Sequence, residues 1–353
     1  MSTVRVVVLP GDGVGLEVTQ AMRHVLEAVA RRYSHELDLE EYAVGWNAYE
    51  SGGTPLPDET LEACLKGPAV FLGAVGDPRA DGLTPEARPE SALLRLRSEL
   101  QCFANLRPAK VDKELITMSA LKPEIADGCD LVIVRELTGG IYYGTPRGLE
   151  GSRAVNTLVY DEAEITRVAE VAFELAGRRR GHVTSIDKAN VLEVSQLWRS
   201  VVADVGTRYP DITLEHMLVD RAAMELVTAP SRFDVVLTDN LFGDILSDEA
   251  SAMCGSLGLL ASASVGGQVG LYEPVHGSAP DIAGRGIANP IGAIRSGALM
   301  LSHSFDLHVE AEAIEKAVQQ TLADGLRTAD LAGWEDDPVS TDEFAHAVAE
   351  AVA

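Results

Sequence analysis

Residues 233–248 read FDVVLTDNLFGDILSD, a strand-like run followed by a polar break and a helical pattern. Apolar and β-branched residues predict a strand over Phe233–Leu237, which ends in the polar run Thr238–Asn240. Asp244 and Asp248 then lie four residues apart, so a helix here carries both carboxylates on one face. A strand that runs through polar residues into a helix is the repeating unit of α/β proteins.

The same alternation extends along the chain and predicts an α/β fold. One helix has a clear start, because Asp161 and Glu164 are spaced as a capping box and apolar residues then recur on one face. The Gly-rich residues 138–151 interrupt the alternation and indicate a hairpin or protruding arm. The other predicted strands are Val4–Leu9, Ala69–Leu72, Leu131–Val134, His182–Ile186 and Ile212–Val219.

Polar residues follow several of these strands directly. Arg135 and Glu136 follow one, Asp187 and Lys188 end a second, and Asp220 ends a third. In open α/β sheets ligands bind beyond the carboxyl ends of the strands, so these side chains together favour a site. For any one of them the alternative is simpler, since strands often end in solvated loops.

Asp244 and Asp248 allow two interpretations. Like charges four residues apart on a helix repel, and a hard divalent cation such as Mg²⁺ or Mn²⁺ would compensate them. Alternatively, they are acidic residues near a helix N-terminus, stabilised by the helix dipole. The spacing alone does not decide between a metal site and an acidic helix start.

Composition limits the class of protein. A chain of 353 residues suggests two domains. With 29 basic and 54 acidic residues the net charge is −25, which argues against partners such as nucleic acid or anionic membranes. Four scattered cysteines without a C-x-x-C pair indicate a reducing, cytoplasmic location. Residues 250–272 are uncharged, but nine of the 23 are Gly or Ser, so we expect a buried helix plus loop rather than a membrane span.

Two further patterns are weak by themselves. Gly11, Gly13 and Gly15 follow the first strand with the spacing G-x-G-x-G, which is not the Rossmann fingerprint. Arginine side chains can bind substrate carboxylates bidentately, but the pattern does not select among the candidates. These are Arg79, Arg88, Arg95, Arg97, Arg107 and Arg135.

Six motifs taken together resemble a known family. They are PGDGVG at 10–15, NLRP at 105–108, VRELTGGIY at 134–142, DKAN at 187–190, DNLFGDILSD at 239–248 and EPVHGSAPDIAG at 273–284. In this order, over nearly the whole chain, they resemble the β-decarboxylating dehydrogenases of 3-substituted malates, the isocitrate/isopropylmalate dehydrogenase family.

The resemblance implies an architecture. It is a two-domain α/β fold of the isocitrate/isopropylmalate dehydrogenase type, with a mixed sheet and no Rossmann site. Residues 1–102 and 254–353 would form the cofactor-binding domain. Residues 103–253 would form the dimerisation and substrate/metal domain, with the protruding arm near 138–155. The implied assembly is a homodimer with shared active sites.

The resemblance also implies a reaction. It is the NAD-dependent oxidative decarboxylation of a malate that carries an isopropyl group at C3, a step of leucine biosynthesis. Lys188 would be the base and Tyr142 the proton donor, while Arg97, Arg107 and Arg135 would bind the substrate carboxylates. Leu93 and Leu94 would contact the isopropyl group. Mg²⁺ or Mn²⁺ would bind Asp244 and Asp248 of one subunit and Asp220 of the other, which would also face the substrate.

For the cofactor, the resemblance implies NAD rather than NADP, because the Asp281 carboxylate would repel a 2′-phosphate. Glu90 would lie near the nicotinamide ribose. The implied cofactor contacts are Glu90, Asn190, Glu273, His276, Gly277, Ser278, Ala279, Pro280, Asp281, Ile282 and Asn289.

Three departures from the family pattern stand out: Leu16 in place of a proline, Trp46 in place of a glycine, and Arg221 beside Asp220. Two alternatives to the implied function remain. One is a sister dehydrogenase of tartrate, malate or homoisocitrate. The other is a catalytically silent regulatory subunit, which the presence of Lys188 and of all three metal carboxylates disfavours.

Overall fold

The computed structural model describes residues 2–333 and 337–352. Its strands are β1 (Thr3–Gly11), β2 (Glu36–Glu41), β3 (Ala69–Ala74), β4 (Ala104–Lys110), β5 (Asp130–Glu136), β6 (Gly148–Glu150), β7 (Arg153–Val155), β8 (His182–Asp187), β9 (Thr213–Leu218), β10 (Val235–Thr238), β11 (Ala261–Val265) and β12 (Gly270–Pro274). Its α-helices are α1 (Gly15–Tyr33), α2 (Trp46–Gly52), α3 (Asp58–Lys66), α4 (Pro89–Glu99), α5 (Pro123–Ala126), α6 (Glu162–Gly177), α7 (Glu193–Gly206), α8 (Val219–Thr228), α9 (Asn240–Met253), α10 (Ile291–Phe305), α11 (His308–Ala323) and α12 (Thr341–Val352).

The chain divides into two compact units. Unit 1 comprises Met1–Cys102 and Ser256–Ala353, and unit 2 comprises Phe103–Gly255. The family resemblance implied domain boundaries between residues 102 and 103 and between residues 253 and 254.

The strands of unit 1 have the order β2-β1-β3-β12-β11. They are parallel except for β11, which is antiparallel to β12. The run VVVL in β1 is fully buried, as expected for a strand covered on both faces. Leu9, Leu72 and Leu271 of three neighbouring strands join Leu96 of α4 in one core cluster.

Three strands of unit 1 were not predicted from the sequence: β2, β11 and β12. The expected buried helix plus loop at 250–272 was wrong. Only residues 250–253 belong to α9, and the remainder contains β11 and the start of β12. The runs ASASV and GLYEP contain few β-branched residues, which is why composition did not reveal these strands. β2 was missed because it is a charged edge strand, ELDLEE.

The strands of unit 2 have the order β4-β5-β10-β8-β9. β4 is antiparallel to β5, and the other pairs are parallel. The α/β class with mixed strand directions is therefore confirmed. The six predicted strands are also confirmed, with ends displaced by up to two residues, and β9 gives way to α8 already at Val219.

Two local predictions in unit 2 are also confirmed. Asp161 caps α6 by accepting a hydrogen bond from the Glu164 amide at 2.8 Å, and the Glu164 carboxylate accepts from the Asp161 amide at 3.0 Å. In the glycine-rich segment, β6 and β7 pair as a short antiparallel hairpin. Within the described residues, no helix combines the length and apolarity that a membrane span requires.

Candidate active site

The parallel strands of unit 2 bring several polar residues to one edge of its sheet. Because β5, β10, β8 and β9 run in the same direction, their carboxyl ends meet there. Arg135 lies near the end of β5, and Lys188 follows β8. Asp239 follows β10, and Asp220 lies in the first turn of α8, just after β9.

Arg135, Asp244 and Tyr142 form one connected group at this edge. The buried Arg135 guanidinium pairs with Asp244 and donates to the Asn240 carbonyl at 2.9 Å and side-chain oxygen at 2.8 Å. The Tyr142 hydroxyl donates to Asp244 Oδ2 at 2.9 Å. Burial, and then the Asp244 hydrogen bond, raise the pKa of the Tyr142 phenol, so it stays protonated and can donate a proton at neutral pH.

A fully buried carboxylate, Glu136, fixes the backbone that leads to Tyr142. It accepts hydrogen bonds from the Thr138 amide at 2.7 Å, the Gly139 amide at 2.8 Å and the Tyr160 hydroxyl at 2.9 Å. Gly140 has a φ of +76°, and a Cβ there would lie 2.6 Å from the Tyr160 hydroxyl. Only glycine fits at this position. Tyr142 is therefore held by a preformed turn.

The second carboxylate on α9 also faces an arginine. The Arg107 guanidinium lies 3.4 Å from Asp248 Oδ1, donates to Ser247 Oγ at 2.8 Å, and donates to Asn105 Oδ1 at 2.8 Å. Asp244 and Asp248 thus each have a cationic neighbour, which compensates the like charges on one helix face. Their side chains are 38% and 74% exposed, so both remain accessible to a ligand.

The donor chemistry of α9 fits a hard divalent cation. Two accessible carboxylates one helical turn apart supply the oxygen ligands that Mg²⁺ and Mn²⁺ prefer. Among residues 2–333 and 337–352, no cluster of three or more His, Cys, Asp or Glu side chains could hold a metal ion. A cation bound by Asp244 and Asp248 would need further ligands from outside this pair, such as water, substrate or a second copy of the chain.

Lys188 and Asp220 form a second pair on unit 2. The Lys188 ammonium donates to Asp220 Oδ1, and this bond lowers the pKa of the Asp220 carboxyl. Asp187 is buried and accepts two hydrogen bonds from Arg199 and one from the Ala189 amide. These bonds fix the turn that carries Lys188, whereas Asn190 in the same turn is exposed.

The expected substrate residues of unit 1 have mixed environments. Arg97 pairs with Glu273 at 2.8 Å, so two expected ligand contacts engage each other. Leu93 packs against the core cluster around Leu96, whereas Leu94 is 56% exposed. Leu94 is thus the apolar side chain of this pair that is free to meet a ligand.

The loop that follows β12 contains a buried nitrogen suited to a ligand. His276 Nδ1 faces the Gly277 carbonyl at 2.9 Å, while its Nε2 is buried without a hydrogen-bond partner in the structure. Burial lowers the pKa of this imidazole, so the ring is neutral at pH 7. Buried polar atoms are normally paired, so the free Nε2 fits a group such as an adenosine. Asp281 is exposed in the same loop.

Asn289 is buried and fully engaged by its neighbours. Its side-chain amide donates to Asp330 at 2.9 Å and accepts from the Ile291 amide at 3.0 Å. Sequence reasoning had not singled out Asp330, Tyr160 or Asp12, which position expected site residues. Only Asp12 carried a usable signal, because it directly follows a strand, as the polar residues of unit 2 do.

At one edge of the unit 2 sheet these features bring arginines, carboxylates, a phenol and a lysine together, which is typical of an α/β enzyme that acts on a small molecule. The chain belongs to the isocitrate/isopropylmalate dehydrogenase family, whose sequence profile it matches over residues 5–348. It is therefore an oxidoreductase, and the family depends on NAD and a divalent metal.

Individual relatives support this assignment. The chain is 51% identical to the 3-isopropylmalate dehydrogenase of Wolinella succinogenes, over 99% of this chain and 98% of that protein. It is 54% identical to the enzyme of the same name from Geobacillus kaustophilus, over 100% of this chain and 96% of that protein. The crystal structure of isocitrate dehydrogenase from Methylococcus capsulatus matches with a TM-score of 0.87 at 37% identity, covering 100% of this chain and 99% of that one.

Asp239, beside the site, gives a testable dependence of stability on pH. Burial, opposed by hydrogen bonds from the helix start and by Arg135 and reinforced by Glu136, raises the pKa of its carboxyl to about 7. The folded protein therefore binds this proton more tightly than the unfolded chain does. The resulting stabilisation of the fold is complete below about pH 4 and is lost as the pH rises through 7. Asp239→Asn keeps the oxygen that accepts from the Phe242 amide. We expect it to raise the free energy of unfolding by roughly 1–3 kcal/mol at pH 8 and by little at pH 5.

Urea unfolding in EDTA at pH 5, 6.5 and 8 measures this effect. Asp77→Asn is the control of opposite sign, because hydrogen bonds from Arg79 lower the pKa of the Asp77 carboxyl. A loss of stability in Asp239→Asn that is equal at all three pH values would contradict the expectation.

Proposed function

We propose that the protein is an NAD-dependent 3-isopropylmalate dehydrogenase of leucine biosynthesis, acting in the cytoplasm. It oxidises the C2 hydroxyl of 3-isopropylmalate and releases the carboxylate on C3 as CO₂, giving 4-methyl-2-oxopentanoate. The observation that carries the proposal is the 51–54% identity to 3-isopropylmalate dehydrogenases over at least 99% of this chain.

Two side chains move protons in this proposal. Lys188 acts in its neutral amine form, in which Nζ accepts the proton of the C2 hydroxyl and becomes an ammonium. Tyr142 Oη delivers a proton to C3 after CO₂ has left. Because its pKa is raised, the Tyr142 phenol holds its proton at neutral pH, so the proton to be delivered is present. When bound, NAD accepts the hydride from C2 and the divalent cation withdraws electrons from the C2 oxygen as a Lewis acid.

The charges around α9 suggest how metal and substrate binding are linked. Arg135 and Arg107 each lie beside one of the two carboxylates, Asp244 and Asp248, that we assign to the metal. A cation bound by those carboxylates shares them with the two guanidinium groups, so we assign Arg107 and Arg135 to the substrate carboxylates beside the metal. We assign Arg97 to the same role, with Leu93 and Leu94 against the isopropyl group.

We assign cofactor binding to unit 1, with Asn190 of unit 2 as a further contact. His276 offers an unpartnered buried nitrogen, and the exposed Asp281 carboxylate favours NAD over NADP. The assigned contacts are Glu90, Asn190, Glu273, His276, Gly277, Ser278, Ala279, Pro280, Asp281, Ile282 and Asn289.

We assign dimerisation, metal and substrate binding to unit 2. Helices α8 and α9 contact each other and expose Met224, Val227 and Ile245, with side chains 44–59% accessible. Leu149 on the hairpin is 82% accessible. A second copy that covers these apolar side chains would form a homodimer. It would also bring Lys188 and Asp220 to the partner's Asp244 and Asp248, completing a shared site.

A substrate panel tests the proposal. Purified protein is assayed with NAD or NADP, with Mg²⁺ or Mn²⁺, and with 3-isopropylmalate, isocitrate, homoisocitrate, tartrate and malate. We expect the highest kcat/KM with 3-isopropylmalate and NAD, because Leu93 and Leu94 offer no partner for a third carboxylate. A preference for isocitrate or homoisocitrate would overturn the substrate assignment and favour a sister enzyme.

A further inference from the structure

The glycine-rich turn between β1 and α1 contains an acidic residue, Asp12, that lies inside the protein. Asp12 is only 2% exposed. Its Oδ2 accepts hydrogen bonds from the Trp46 and Gly76 amides at 2.9 Å, and its Oδ1 accepts from the Asn47 amide at 3.1 Å. Three backbone segments thus meet at this carboxylate.

One of these donors, Gly76, lies between two residues assigned to the cofactor. Its φ is +132°, and a Cβ there would lie 3.2 Å from Glu90 Oε1 and 3.3 Å from Ser278 Oγ. The hydrogen bond from Gly76 to Asp12 therefore fixes the backbone at the point where these two side chains converge.

The same segment holds the loop that contains Ser278. The Val14 amide donates to the Ser278 carbonyl at 2.8 Å. A Cβ on Gly13 would lie 2.0 Å from that carbonyl oxygen, so only glycine permits this approach. On the first turn of α1, Glu17 accepts hydrogen bonds from the Gly284 amide and, at 3.1 Å, from the Gly286 amide.

Burying a carboxylate is costly, and burial raises the pKa of Asp12 despite its backbone hydrogen bonds.

Trp46 packs beside this turn, with its ring 4.8 Å from the Arg79 guanidinium carbon. Trp46, which departs from the family pattern, thus makes two contacts here. Its backbone amide donates to Asp12, and its ring packs against the Arg79 guanidinium.

We propose that Asp12 and Glu17 are positioning residues for the dinucleotide. Asp12 holds Gly76 between Glu90 and Ser278, and Glu17 holds the end of the adenosine-binding loop at Gly284 and Gly286. The proposal rests on the assignment of Glu90 and Ser278 to NAD. It gives the buried Asp12 carboxylate a role in the turn between β1 and α1.

The chain offers a matched control in unit 2. Asp234 is 1% exposed and accepts hydrogen bonds from the Arg180 amide at 3.0 Å and the His182 amide at 3.2 Å. It resembles Asp12 in burial and in its backbone partners and touches no residue assigned to NAD, but it also pairs with Arg179 at 2.8 Å. Asp234→Asn reports what the loss of such a carboxylate does to stability alone.

The experiment compares Asp12→Asn, Glu17→Gln and Asp234→Asn with the wild type. Isothermal titration calorimetry gives the Kd for NAD and for AMP without substrate, thermal unfolding gives Tm, and kinetics give separate KM values for NAD and for the malate substrate. We expect Asp12→Asn to raise the Kd and KM for NAD about tenfold, while the KM for the malate substrate changes less than about twofold. Its effect on AMP should be smaller, whereas Glu17→Gln should weaken NAD and AMP together.

Asp234→Asn should lower Tm without changing the Kd for NAD. If Asp12→Asn lowers Tm as Asp234→Asn does but binds NAD like the wild type, Asp12 is structural only and the proposal is overturned. If Asp12→Asn does not fold, Glu17→Gln decides, because its carboxylate is only half-buried. A wild type that binds NAD but does not turn over 3-isopropylmalate overturns the proposed substrate, and the Kd comparison still decides the roles of Asp12 and Glu17.

Discussion

Replacing Lys188 with alanine is expected to lower kcat by about 10³-fold, because the variant lacks the group that accepts the hydroxyl proton. The fold should persist. Lys188 and Asp220 form a largely accessible pair, with side chains 28% and 64% exposed, so Asp220 is solvated once the ammonium is gone. The turn itself depends on the buried Asp187 and its bonds to Arg199, which the substitution does not touch.

Steady-state kinetics with saturating 3-isopropylmalate, NAD and Mn²⁺ measure this loss, and circular dichroism measures Tm. Lys316→Ala is the matched control, because Lys316 pairs with Glu312 on an exposed helix face and should leave kcat unchanged. Lys188→Ala with a kcat within threefold of wild type would exclude Lys188 as the base. The loss of the low-pH limb of the pH–rate profile in the residual activity would support its role, since that limb reports the base.

The sequence predicted the parts of this protein that depend on local patterns. Buried parallel strands are nearly continuous apolar runs, so β1, β3 and β10 were visible, as was the capped helix α6. Strand direction then decides which loops share an edge, so polar residues at the strand ends indicated the region of the site independently of any family resemblance. β2, β11 and β12 were not visible, because charge or small side chains hid the strand pattern.

The pairings within the site could not be predicted from spacing. Nothing in the order of the residues shows that Arg135 faces Asp244, that Arg107 faces Asp248, or that Arg97 faces Glu273. Such contacts join residues 100 or more positions apart, and only the packing of strands and helices decides them. Repulsion between Asp244 and Asp248 no longer favours the metal site over the acidic helix start, because their arginine neighbours already offset the like charges. The need for a cation therefore has to be measured.

Asp244→Asn is the variant that tests the cation. It removes a charge from the assigned metal site and leaves one acceptor oxygen where the Tyr142 hydroxyl and the Arg135 guanidinium now use two. The buried Arg135 also loses its carboxylate partner. We expect the affinity for Mn²⁺ to fall at least about 10-fold and kcat/KM at low Mn²⁺ to fall by about 10²-fold or more. Titration calorimetry with Mn²⁺ and assays over a range of Mn²⁺ concentrations measure these effects. Glu249→Gln on the same helix is the matched control, and equal metal affinity in both variants would contradict the assignment.

The proposed sharing of each site between two subunits predicts a further result when the Lys188→Ala and Asp244→Asn variants are combined. A dimer of one Lys188→Ala chain and one Asp244→Asn chain has one site with both defects and one site with none, because Lys188 is assigned to the partner's Asp244. Unfolding and refolding an equal mixture makes half of the dimers mixed, so about one quarter of wild-type activity should return. Each variant refolded alone is the control and should stay inactive. If both groups acted within one chain, every site in the mixture would carry a defect. The absence of recovery in mixed dimers, isolated by two affinity tags, would show that each chain acts alone.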